Sequence, residues 1–421
     1  MVDNPQPVGT TGARTGVGAA APLAGMVVVG LEQAVSAPFC TRSLADLGAR
    51  VIKVEHPDGG DFTRGYDTVA RGQAAHFVWV NRGKQSVALD LKADDGRAVL
   101  HRLLERADIV VSNLAPGATG RLGLSAEALH ERHPHLVAVD ISGYGTDGPL
   151  SGKRAYDLLV QAETGVCATT GTAGAPAKAG PPVADAATGL YAAFAALAAL
   201  RERDRTGRGT VLSVSMFDTM VEFMGYPLTF SRYSGVDQEP VGLGSPAVVP
   251  YGAYRTADAE TVVLGTTNDA EWLRMCGLIE RPDLAADPAY RTNADRVVHR
   301  EVLDAAVAAW CAKLPLEQVR AAADAAGIGN AKYNRPSDVI GHPHLAARGR
   351  WQDVPSPGGP ITATLPPPVF GDRLPAMGAL PALDEHTDEV LTWLGYDSEA
   401  VAGLRASGAV GAVRTQTPIP S

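Results

Sequence analysis

Cysteine is scarce in this sequence: Cys40, Cys167, Cys276 and Cys311 are the four among 421 residues, far apart and in no CxxC pair. That spacing excludes a dense disulfide framework and fits a reducing compartment, so a cytoplasmic location is expected. Basic charge is also short, with 37 Lys and Arg against 46 Asp and Glu and a net charge of −9. A polyanionic partner demands a basic field, which disfavours nucleic acid, although a few local cations can still hold the phosphates of a small ligand. No run approaches about 18 uninterrupted apolar residues, and the opening MVDNPQPVGTTGARTGVGAAAPLAG lacks the basic-then-apolar order of an export signal. No membrane partner is expected. Three signatures are missing as well. The first strand-to-helix turn reads GLEQAVSAPF rather than GxGxxG, which argues against a dinucleotide, and there is neither a Walker A loop nor a GxSxG elbow. HPHL occurs at 133–136 and 342–345, but each copy offers two histidines where zinc takes three or four ligands, so no metal is expected.

What is present is a large apolar fraction, 45%, on a chain long enough for two domains. From Gly25 onward, short β-branched runs (GMVVVG, RVIKVE, ADIVVSN, LVAVDISGYG) alternate with helical segments, the pattern of a doubly wound parallel α/β sheet. Asp94–Arg106 and Ser125–His133 read as amphipathic helices, the second opened by a serine able to cap first-turn amides. An Ala-rich helix follows over roughly 186–203, then the apolar run TVLSVSM. Beyond Met220 a Gly/Pro-rich loop leads into antiparallel strands and further helices to about Ala326, a second and smaller α+β unit. Proline-rich stretches at 355–368 and 375–381 read as linkers before a short helix in DEHTDEVLTWLG.

The densest chemistry lies in KRAYDLLVQAETGVCATTGTAGAPAKAGPPVADAATGLYAAFAAL, where a Gly-rich stretch runs directly into Asp185 and a long helix. Two readings of Asp185 follow. It is either a helix N-cap or a carboxylate held ionised by the helix terminus and therefore nucleophilic.

At these residues the chain resembles the family III CoA-transferases, the group of formyl-CoA transferase and carnitine CoA-transferase. The matching stretches are LADLGARVIKVEHPDGGDFTRG, NRGKQSVALDLK, VSNLAPGATGRLG, ISGYGTDGPLSGKRAYD, GPPVADAATGLYAA and RTGRGT to SVSMFD. The resemblance implies transfer of coenzyme A from an acyl-CoA donor to a carboxylic acid, with Asp185 as nucleophile, CoA as substrate and no permanently bound cofactor. It also implies an interlocked homodimer with a large Rossmann-like domain joined to a small one. With the pattern above, that gives a tail (1–24), a large Rossmann-like CoA-binding domain (25–220), a linker with a Gly-rich loop (221–245), a small α+β domain (246–340), a C-terminal segment returning to the large domain (341–410) and a tail (411–421). CoA contacts carry over to Val35, Ser36, Leu89, Asn113, Arg121 and Met216, with Arg154 and Tyr156 near the thioester. Gly242 and Gly244 stand where a loop covering the aspartate is expected. Arg121 suits a phosphate because a guanidinium pairs two oxygens at once, and as bare sequence it reads equally as a solvated helix-end charge. His56 stands where formyl-CoA transferase has an arginine. His56, Arg64 and Arg154 are basic side chains that suit a dicarboxylate acceptor such as succinate, mesaconate or itaconate, while Arg64 also reads as a structural ion-pair partner. Acyl-CoA racemases of the same fold need a histidine before an aspartate. This chain has Tyr156 before Asp157, which favours transferase over racemase. A CoA-binding protein without catalysis is the remaining alternative.

Overall fold

The computed structural model describes residues 21–371 and 377–411. Within these the chain divides into two units. The first comprises the described residues up to 142, residues 188–214 and the described residues from 351 onward, and the second 143–187 and 215–350. The sequence pattern assigns 25–220 to one domain; the contact division instead places 143–187 with the second unit, because the chain leaves the sheet after its fifth strand and returns along a single long helix.

The first unit is built on strands β1 (Val27–Leu31), β2 (Arg50–Glu55), β3 (Lys84–Ala88), β4 (Ile109–Ser112) and β5 (Val137–Ser142), all paired in parallel. Later in the chain come β6 (Gly171–Thr172) and β7 (Ala175–Pro176), a short hairpin of the second unit, and β8 (Val211–Ser215), which completes the sheet in the order β3-β2-β1-β4-β5-β8. Side chains alternate between the two faces of each strand, so each β-branched run feeds two cores. Val27, Val29, Leu31, Ile52, Val54 and Val110 pack with Leu100, Leu103 and Leu104 of the Asp94–Leu104 helix and Val390 and Leu391 of the Thr387–Trp393 helix. Val28, Val51, Ile109, Val111, Val137 and Val139 pack on the other face with Ala37, Cys40 and Leu44 of the Ser36–Asp46 helix and Ala192, Ala196 and Leu200 of the Val183–Thr206 helix. The latter helix has the length and composition to cross a membrane. Its alanine stripe is nevertheless packed into this core.

Gly189 allows that packing. A Cβ there would lie 2.5 Å from the Ser36 carbonyl oxygen and 3.2 Å from the Cys40 amide nitrogen, both main-chain atoms. The helix that carries Asp185 thus reaches the sheet's second face only because residue 189 has no side chain.

The expected tail over 1–24 falls largely outside the described residues, but Leu23 is buried in the second core and its amide donates to the Leu47 carbonyl. At the other end the Gly411 amide donates to Ala88, and the rest of the 411–421 tail lies outside the described residues. The proline-rich stretch at 355–368 is part of a two-stranded pairing, β12 (Trp351–Val354) with β13 (Ile361–Thr364), rather than a bare linker. In the second unit β9 (Tyr251–Arg255), β10 (Thr261–Gly265) and β11 (Gly329–Lys332) form an antiparallel sheet ordered β11-β10-β9. Trp272, Leu303, Val307 and Val319 from its helices cover that sheet.

Candidate active site

Strand order reverses between β1 and β4, and in open α/β sheets ligands bind in the crevice beyond the strand ends at such a switch point. Residues 33–36 leave β1 there and residue 113 leaves β4. Asn113 staples the two: its Oδ1 accepts from the Gln33 amide at 2.9 Å, and its Nδ2 donates to the Gln33 carbonyl at 2.8 Å and to Ser36 Oγ at 3.1 Å. Both Nδ2 protons are thereby spent and the Asn113 amide donates to the Leu31 carbonyl, so what Asn113 can offer a ligand is the second lone pair of Oδ1. Ala34 adopts a positive φ of 62°, and its amide donates to Asp61 Oδ1 at 3.3 Å. The Ser36–Asp46 helix that follows receives no side-chain cap, so its first-turn amides and the positive end of its dipole face the crevice without a carboxylate of their own.

Beneath this loop lies a fully buried charge cluster that no sequence motif announces. Lys53 Nζ meets Asp61 Oδ2 at 2.8 Å and Glu32 Oε1 at 3.3 Å, and Lys84 Nζ meets Glu32 Oε1 at 2.6 Å, all four side chains being inaccessible to solvent. Thr41 donates to Glu32, and Lys84 donates further to the Pro38 carbonyl and Asn81. Burial opposes ionisation of Glu32, but Lys84 and Lys53 together hold its carboxyl below the ordinary range. Burial likewise opposes the charge on Lys53, yet Glu32 and Asp61 raise it above an ordinary lysine. Lys84, with one carboxylate and a repelling Lys53, is drawn down by burial to about 8. Lys53 on β2 and Lys84 on β3 reach Glu32, just past the end of β1, across 21 and 52 positions of sequence, which leaves no local signal that would have revealed them.

The neighbouring basic side chains separate by role. Arg64 is committed to structure: it pairs with both Glu55 oxygens at 2.8 and 2.7 Å, donates to the Pro381 carbonyl and stacks over Phe77 at 3.8 Å. Against the cost of burial, Arg64 foremost and then Lys53 bring Glu55 down to about 2. His56 is exposed at the end of β2, its Nδ1 accepting from the Asp58 amide. Arg121 is exposed on the segment after β4 and makes no ion pair among the described residues. Leu89 is buried in the first core and bridged to Val410, and its amide donates to the Glu55 carbonyl. Val35 and Ser36 are buried as well.

In the second unit, Asp185 is the third residue of the Val183–Thr206 helix and half-buried. It is not the cap. Asp157 takes that place, its Oδ1 accepting from the Ala184 amide at 2.9 Å and the Asp185 amide at 3.4 Å. Asp185 instead stands inside the first turn, where the helix dipole favours a carboxylate. Arg154 and Tyr156 are exposed just before the Asp157–Glu163 helix, whereas Met216 is buried with Val160, Ala184 and Met220. Gly242 (φ 68°) donates its amide to the Gly171 carbonyl at 2.6 Å, Val241 bridges to Thr172, and Gly244 bridges to Gly252. The Gly-rich loop is therefore pinned between the β6–β7 hairpin and β9. With the Ser245 amide given to Tyr251, two of its four amides from 242 to 245 are already used internally.

The model of CoA-transferase family III matches residues 23–387. A succinyl-CoA:mesaconate CoA-transferase of Haloarcula hispanica is 35% identical over 86% of this chain and 94% of its own length. A succinate–glutarate CoA-transferase of Agrobacterium fabrum is 31% identical over 89% and 96%. Among solved structures, a CAIB/BAIF family protein from Brucella suis superposes with a TM-score of 0.77 at 31% identity, covering 89% of this chain and all of that one. The chain belongs to the family III CoA-transferases. It is a CoA-transferase, and enzymes of this kind use CoA thioesters as substrates.

Proposed function

We propose that the enzyme moves coenzyme A onto a dicarboxylic acid through covalent intermediates on Asp185. An oxygen of the ionised Asp185 attacks the donor thioester carbonyl; the C–S bond breaks, and CoA leaves as thiolate, with a mixed anhydride of Asp185 and the donor acid remaining. The thiolate then attacks the aspartyl carbonyl, expelling the donor acid as carboxylate and leaving an aspartyl-CoA thioester. The acceptor carboxylate runs the two steps in reverse, so no proton or phosphate is consumed. The observation that carries this reading is the placement of Asp185 inside the first helical turn while Asp157 does the capping.

Val35, Ser36, Leu89, Asn113, Arg121 and Met216 are the proposed CoA contacts, with Arg121 on phosphate and Arg154 and Tyr156 beside the thioester. The loop with Gly242 and Gly244 is proposed as a lid whose uncommitted amides meet the oxyanions, each such donor being worth up to about 3 to 4 kcal/mol. An interlocked homodimer is part of the same reading, and exposed Leu190, Tyr191 and Phe194 on the 183–206 helix supply apolar surface for it. Four unpaired cysteines, three of them buried, fit the cytoplasm.

A dicarboxylate acceptor is supported by the relatives named for mesaconate and glutarate and by Arg154, an exposed cation without an acid partner among the described residues. The test is a panel of mono- and dicarboxylic acids with succinyl-CoA as donor, the thioester products being separated by chromatography. Dicarboxylates are expected to lead by about tenfold or more in kcat/KM, the worth of one further charge-assisted contact. Equal or better turnover of monocarboxylates would overturn the acceptor assignment.

A further inference from the structure

We propose that Asp157, acting through Gln161, is a positioning residue that fixes where Asp185 stands; this rests on Asp185 being the nucleophile. The Gly180-Pro181-Pro182 turn leading into the 183–206 helix has little hydrogen bonding of its own, because neither proline carries an amide proton. One side-chain pair holds both ends of this turn. Asp157 Oδ1 accepts from the amides of Ala184 and Asp185 at its far end. Asp157 Oδ2 accepts from Gln161 Nε2 at 2.6 Å, and Gln161 Oε1 accepts from the Ala179 amide at 2.9 Å at its near end. Gln161 is fully buried, and the two residues stand four apart on one face of the Asp157–Glu163 helix. Every donor in this chain runs toward Asp157, so the arrangement needs an acceptor-only carboxylate at 157 and an amide at 161.

That polarity makes the proposal testable by exchange. In Asp157→Asn the new amide must donate to Gln161, Gln161 must turn its NH2 toward the Ala179 N–H, and one end of the turn is released. In Gln161→Glu two carboxylates face each other. The double variant Asp157→Asn/Gln161→Glu restores every bond with the charge moved one helical turn. The amide oxygen then present at position 157 accepts from Ala184 and Asp185, its NH2 donates to the carboxylate at position 161, and that carboxylate accepts from Ala179.

Each single variant is expected to lower kcat and the rate of aspartyl-CoA formation about 10- to 100-fold, the scale of a misplaced reacting group, with KM for succinyl-CoA little changed. The double variant should recover most of that loss. Hydrogen–deuterium exchange of the peptide spanning 179–190 should quicken in each single variant and slow again in the double, which separates local release from general unfolding. Wild-type rates in Asp157→Asn, or a double variant no faster than the slower single one, would overturn the proposal. Asp185→Ala is the control for the reading beneath it. Loss of the CoA adduct with that variant leaves the Asp157 comparison as the test, whereas wild-type turnover by Asp185→Ala removes the nucleophile and the positioning role together.

Discussion

Replacing Glu32 by glutamine removes one of two negative charges from a buried set of two lysines and two acids. Glu32 Oε1 lies 2.6 Å from Lys84 Nζ and 3.3 Å from Lys53 Nζ, with no side chain of the set exposed to water. Asp61 touches only Lys53 among the lysines, so Lys84 would be left with the neutral acceptors Asn81 and the Pro38 carbonyl. Breaking one buried pair in this way costs about 3 to 5 kcal/mol. That is a large share of the roughly 5 to 15 kcal/mol that holds a domain folded. The cluster also carries the 33–36 loop, since Lys53 donates to the Glu32 carbonyl and Asp61 accepts from Ala34, so KM for the CoA donor should rise as well. In Glu32→Gln/Lys84→Met the uncompensated ammonium is gone and the Lys53–Asp61 pair stays balanced. The two changes should therefore couple favourably by about 1 to 3 kcal/mol in a double-mutant cycle. Urea unfolding followed by circular dichroism measures both quantities. A Glu32→Gln variant within about 1 kcal/mol of wild type, or strictly additive effects of the two substitutions, would contradict this charge balance.

Two further outcomes follow from the same geometry. Gly189→Ala removes a helical glycine, worth about 1 kcal/mol in favour of the variant, but drives a Cβ to 2.5 Å from the Ser36 carbonyl, an overpacking that costs about 1 to 3 kcal/mol. The net expectation is a less stable protein with weaker CoA binding; a stabilised variant with unchanged KM would show the approach to be slack. Glu55, held at about 2 in the folded chain, contributes stability that is fully present above its ordinary value and is lost as pH falls through the folded one. Its contribution is on the order of 3 kcal/mol. Wild type should therefore lose more unfolding free energy than Glu55→Gln on titration toward acid, and parallel curves would contradict the Arg64–Glu55 account.

The sheet was legible because its strands are β-branched runs that supply two cores by simple alternation, as Val27 to Leu31 and Ile109 to Ser112 do. Local capping chemistry was legible too: Ser125 accepts from the Ala128 amide as its spacing suggested. What failed was long-range. Asp185 has the spacing of an N-cap, but the acceptor for that turn comes from Asp157, 27 and 28 residues away from the amides it receives, so the helix begins at Val183 and not near Ala186. Lys53 and Lys84 drew no reading from the sequence, because their partner Glu32 lies 21 and 52 positions away. Arg64 was open between substrate and structure until Glu55 and Phe77 were seen to enclose it. Gly189 gave no sign at all, since only the neighbouring helix explains why a side chain cannot stand there.

The central claim is that CoA passes through Asp185, and intact-protein mass spectrometry after incubation with succinyl-CoA and a mildly acidic quench addresses it directly. A CoA-sized adduct is predicted on the wild-type enzyme, carried by the peptide containing Asp185, and none on Asp185→Ala, which should still bind CoA but lose turnover. An equal adduct on Asp185→Ala, or turnover close to wild type by that variant, would contradict the account.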